Sequence, residues 1–69
     1  MMNKHQLGEP ILKIGNHSEP ILGIIVEFID NNYDPHYKVE WTDGVTWKYD
    51  DTTITIFKET LKRFLNAQA

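Results

Sequence analysis

Four aspartates, Asp30, Asp34, Asp50 and Asp51, occur in the same two stretches as three aromatic residues, Tyr33, Trp47 and Tyr49. Carboxylates at that density repel one another and are relieved by an incoming lysine or arginine, which aromatic ring faces also attract. If the fold brings both stretches to one rim, they make a cation-seeking surface. The partner it would suit is a protein presenting a basic segment, with charge-steered association.

Other chemistries fail on spacing. Asp30-Asn31-Asn32-Tyr33-Asp34 places oxygen ligands at positions 1, 3 and 5 of a calcium loop, but Pro35 stands where that loop needs glycine. Trp41 replaces the closing bidentate glutamate, so no calcium site follows. His5, His17 and His36 share no ligand spacing and have no cysteine to help them, which leaves no zinc site. All three read as exposed tail or loop residues. Asn16-His17-Ser18 is formally a glycosylation sequon, but no secretory signal accompanies it. The Asp50-Asp51 pair lacks a nucleophile or oxyanion donor nearby, and there is no glycine-rich phosphate loop. A chain of 69 residues also has little room for a catalytic pocket. The expectation is a non-enzyme without metal or cofactor.

A single domain of this length buries only about 60% of its unfolded surface. The absence of cysteine fits a reducing compartment. Met1 to Leu7 lacks the apolar run of a signal peptide, and the longest apolar stretch, Ile24 to Val26, cannot span a bilayer. These features point to a cytoplasmic protein, monomeric or weakly self-associating, with no membrane partner. The net charge of -3 is unevenly spread: residues 19–51 sum to -6, residues 52–69 to +2 and residues 1–18 to +1. Phosphate contacts dominate nucleic-acid affinity, so the centre repels nucleic acid and only the tail attracts it.

The elements that must position these residues are mostly strands. EPIL occurs twice, as Glu9-Pro10-Ile11-Leu12 and Glu19-Pro20-Ile21-Leu22. Proline lacks an N–H and suits the first position of a strand, so the duplication marks two strand starts around the turn formers Gly15-Asn16-His17-Ser18. Gly23 to Ile29 alternates Ile24, Val26 and Phe28 with Ile25, Glu27 and Ile29, the pattern of a central strand. Tyr37–Trp41 and Val45–Tyr49 then form a hairpin. A two-residue Asp43-Gly44 loop would scatter the aromatics over both faces. A three-residue loop with Gly44 left-handed pairs Trp41 with Val45, Val39 with Trp47 and Tyr37 with Tyr49, gathering all six on one face. That register also sets Lys38 opposite Lys48. Thr52 to Ile56 is β-branched and reads as a fifth strand. Phe57, Leu61, Phe64 and Leu65 follow with helical spacing, and Thr55 or Ile56 is the expected entry.

The run Tyr37-Lys38-Val39-Glu40-Trp41-Thr42-Asp43-Gly44, with Gly8 and Ile11 before Gly23, Ile25 and Phe28, and Tyr49 after it, resembles small SH3-like barrels of Tudor or KOW pattern. The resemblance covers residues 8–56 and is nearest to small proteins of unassigned function encoded by tailed phages. It implies a mainly β fold: a five-stranded barrel over 8–56, preceded by a flexible tail over 1–7. A helix over 57–69 would dock on the barrel or reach into a partner's groove. It further implies an aromatic cage for a methylated cation among Phe28, Tyr33, Tyr37, Trp47 and Tyr49, with Asp30 or Asp50. In so small a barrel most of these rings must instead be core, where Val39 and Trp41 certainly belong. The function expected is a protein-binding adaptor using Asp30, Tyr33, Asp34, Trp47, Tyr49 and Asp50, with a host protein among the candidate partners. The alternative is a KOW-like nucleic-acid module using the basic helix.

Overall fold

The computed structural model describes residues 5–30 and 36–68. Four strands, β1 (Pro10–Ile14), β2 (Pro20–Ile29), β3 (His36–Trp41) and β4 (Thr46–Asp50), form one antiparallel sheet in the order β1-β2-β3-β4. Helix α1 (Asp51–Gln68) follows β4 without a loop. Both EPIL prolines open strands. Between them Ser18 N–H donates to Gly15 O at 3.0 Å and Gly15 N–H to Glu19 O at 2.7 Å. No helix among the described residues is long and apolar enough to cross a membrane.

The fold differs from the sequence expectation in two linked ways: there are four strands rather than five, and they do not close a barrel. Thr52 to Ile56, read as the last strand, is the start of the helix. Its β-branched residues have a β preference that depends on context, and a cap outweighs it here. Asp50 Oδ1 accepts the N–H of Thr53 at 2.8 Å, and Asp51 adds negative charge in the first turn. The apolar stripe therefore begins at Ile54, three residues before Phe57. The entry is Asp50, not Thr55 or Ile56.

The buried cluster comprises Ile11, Ile25, Tyr37, Val39, Trp41 and Ile54, with Ile21, Phe28, Tyr49 and Phe57 packed against it. The β2 alternation breaks where Ile25 faces Val39 but Glu27 faces Lys38, a bulge at Val26. The extra residue changes the parity, so Ile25 and Phe28 both reach the core while Ile24, Glu27 and Ile29 lie on the opposite face. Gly23 is required beneath Trp41: a Cβ there would lie 2.5 Å from the indole Cε3. Lys13 Nζ sits over the same indole, 4.4 Å from the ring centroid. Trp41, Tyr49 and Phe57 meet edge to face with centroids 5.0–5.9 Å apart.

The hairpin takes the three-residue loop. Tyr37 pairs with Tyr49, Val39 with Trp47, and Lys38 with Lys48. Trp41 N–H donates to Val45 O at 2.8 Å, and Gly44 has φ +91°. The register places the six side chains on one face as expected, but Val45 and Trp47 on that face are exposed.

Candidate functional site

The six candidate residues divide. Tyr33 and Asp34 lie outside the described residues. Tyr49 belongs to the core: its hydroxyl accepts the indole N–H of Trp41 at 3.0 Å, and its ring packs on Phe57. Tyr37 and Phe28, the further cage candidates, are likewise drawn inward, with centroids 5.2 Å apart. Asp50 is exposed and caps α1; hydrogen bonds from Thr53, with the charge of His36 nearby, hold its carboxyl below the usual aspartate range. Asp30 is exposed at the end of β2.

Trp47 stands apart from the other rings. It is 64% exposed although its partner Val39 is completely buried. The reason is position: β4 is an edge strand, and α1 leaves it to pack chiefly along β1. Leaving an indole in water forgoes the roughly 1.5–3 kcal/mol that burying a large apolar side chain contributes. Trp47 borders an open groove of about 460 Å³ with Glu27, Ile29, Lys38, Thr46 and Lys48. His36, Ile29 and Lys48 line a second hollow with the same residue. By strand alternation Lys38 and Lys48, with His36 and Asp50 in the next row, lie on the face opposite the one that carries the Trp47 side chain.

A second polar cluster lies where the N-terminal segment meets α1, and the sequence reading missed it. His5, expected to be exposed, is 4% exposed. Its Nε2 lies 2.8 Å from Asp51 Oδ1 and 3.3 Å from Thr55 Oγ1, and its ring meets Tyr37 edge-on at 5.1 Å. Lys58 Nζ approaches Nδ1 at 3.2 Å and Glu9 Oε2 at 2.8 Å. An ammonium can only donate, so Nδ1 accepts and the ring proton is placed on Nε2, facing Asp51. The Lys58 hydrogen bond, aided by the N–H of Gln6, holds the Glu9 carboxyl below the usual glutamate range. This chain of contacts ties the N-terminal segment to α1. Its members are 46 to 53 residues apart in sequence, so no local pattern announces them.

No family model matches the chain, and no curated protein or solved structure matches it either.

Proposed function

We propose that the chain is a non-enzymatic protein-binding adaptor that takes a basic segment of a partner on the β4 side of the sheet. The observation that carries this reading is Trp47, a large aromatic side chain left 64% exposed beside an open groove while the neighbouring aromatics pack together. Tryptophan is the residue type most enriched at the energetic centres of protein interfaces. Asp30 and Asp50, both exposed, supply the negative charge for a cation at one end of this surface. The same reading takes the meander as an SH3-like sheet of the kind small phage proteins carry, completed by a helix instead of a fifth strand.

The nucleic-acid alternative loses ground at α1. Lys58 is engaged by Glu9 and His5, and Lys62 lies 4.0 Å from Glu59, which leaves Arg63 as the remaining cation of the helix. Capture from cell extract tests the proposal, comparing the wild type with Trp47→Ala and with Asp50→Lys. Loss of a captured protein with Trp47→Ala, at an unchanged melting temperature, supports it. Equal capture by both chains, or salt-sensitive binding of duplex DNA instead, contradicts it.

A further inference from the structure

The outer edge of β4 carries information about what could bind there. The bond from Trp41 N–H to Val45 O makes these two a hydrogen-bonded pair, and such pairs alternate with non-bonded ones along an antiparallel ladder. Trp47 and Tyr49, opposite Val39 and Tyr37, are therefore bonded into the sheet as well. By the same alternation the backbone N–H and C=O groups of Thr46 and Lys48 point away from β3. Among the described residues no strand lies on that side. An edge of this kind is a template for another strand.

The side chains set conditions on that strand. Lys48 stands opposite Lys38 in a non-bonded pair, where side chains come closest. Like charges so placed destabilise a sheet. The nearby countercharge, Glu27, reaches only to 3.9 Å from Lys38, and Lys48 has no ion pair among the described residues. Two residues along the same face is Asp50, of opposite sign. An added strand has the same two-residue period, so its alternate side chains fall in register with Lys48 and Asp50.

Resting on the reading of this side as a partner surface, we propose that the occupant is an extended peptide segment that adds to β4 as a fifth, antiparallel strand. It places an acidic residue opposite Lys48 and a basic residue opposite Asp50. Read from its N-terminus, the segment is basic, any residue, acidic, apolar, the last meeting Trp47 on the other face. The basic segment of the adaptor reading thereby gains an acidic residue at a fixed position. Lys48 is also a guard: a second copy in the register that sets Lys48 against Lys48 is repelled.

The test is a nuclear magnetic resonance titration of the full chain with three short synthetic peptides. They are one of the stated pattern, its charge-swapped twin, and the first peptide N-methylated at its acidic residue. The matched peptide should shift the amide signals of Thr46 to Asp50 and slow the exchange of the Thr46 and Lys48 amides. The swapped twin should bind about tenfold more weakly, and the methylated peptide should not bind, since its donor to Lys48 O is gone. Lys48→Glu, an exposed substitution checked by its melting curve, should abolish the preference between the first two, since each then makes one opposite-charge and one like-charge pair. Equal binding of the matched and methylated peptides, shifts confined to α1, or no binding at all overturns strand addition. So do shifts that grow with protein concentration alone, which assign the edge to a second copy, and stronger shifts with oligothymidylate, which assign it to single-stranded nucleic acid. If Trp47→Ala abolishes partner capture while the peptides leave β4 untouched, strand addition falls and the partner surface stands. If capture also survives Trp47→Ala, both fall.

Discussion

The two edges of this sheet are treated in opposite ways. On β1, Ile11 and Leu12 are 0% and 3% exposed, although alternate residues of a strand face opposite sides. Helix α1 packs chiefly along this strand, and Glu9, His5 and Lys58 fasten the preceding segment to it. On β4 every residue but Tyr49 is exposed, including the tryptophan at its second position. A sheet of four strands has two edges, and among the described residues there is one helix to cover them. The coverage went to β1, where it creates the core; β4 kept Lys48, and among the described residues no strand pairs with its outer edge. The comparison teaches that the helix-covered margin carries the core, while the proposed partner margin is joined to the fold through Asp50, which caps α1.

Substitutions that probe this division should differ by margin, and the largest effect belongs to the covered side. Ile54 is completely buried and brings α1 onto the sheet. Ile54→Ala should lower unfolding free energy by about 3 kcal/mol in denaturant titration; a loss near zero would mean that the helix is not part of the core. His5→Ala should follow at about 2 kcal/mol, since it leaves Lys58 and Asp51 short of a partner in a half-buried setting. A melting temperature unmoved by this change would detach the N-terminal segment from the fold.

Between the margins, Gly44→Ala tests the hairpin that sets the β4 register. Alanine is strained at φ +91°, so the loss should be about 1 kcal/mol. Acid should act on the covered side as well. The Glu9 carboxyl is held below its unfolded range by Lys58, so its contribution is full above about pH 4.3 and is lost as pH falls through the depressed value. Melting temperature should therefore drop between about pH 5 and pH 3, by the equivalent of less than about 1 kcal/mol from this group, and Glu9→Gln should remove that part of the slope. The smallest stability effect is expected at the open edge. Trp47→Ala should change unfolding free energy by less than about 0.5 kcal/mol, and a larger loss would mean that the indole is covered in solution.

Much of the sheet was legible in the sequence because local rules fixed it. The prolines of EPIL named two strand starts, and the need to bring Val45, Trp47 and Tyr49 to the face of Tyr37, Val39 and Trp41 chose the loop and placed Gly44. The fifth strand failed because Thr52 to Ile56 satisfies two readings. Its residue types favour a strand, whereas Ile54 continues the helical stripe of Phe57 and Leu61, and only the cap by Asp50 decides between them. The bulge at Val26 escaped because an unbroken alternation hides an inserted residue. For the candidate site the sequence named Trp47 without the reason that leaves it exposed. Trp47 and Trp41 sit in similar alternating runs, and which one is buried depends on where α1 lies. Tyr49 was drawn away from the surface by its bond to Trp41, a contact that spacing alone does not reveal. His5 went unread because its partners lie at the other end of the chain.

The central claim is that β4 offers an unoccupied edge, and residue-resolved amide hydrogen exchange on the full chain tests it most directly. An alternating pattern is expected along the strand: Trp47 and Tyr49, bonded to β3, should exchange slowly, and Thr46 and Lys48 faster by about tenfold or more. The amide of Ile11 on the covered margin, in a bonded pair with Gly23, should exchange as slowly as those of Trp47 and Tyr49. If Thr46 and Lys48 are instead as protected as Trp47 and Tyr49 in the isolated chain, the edge is already covered, and the partner surface assigned to it is contradicted.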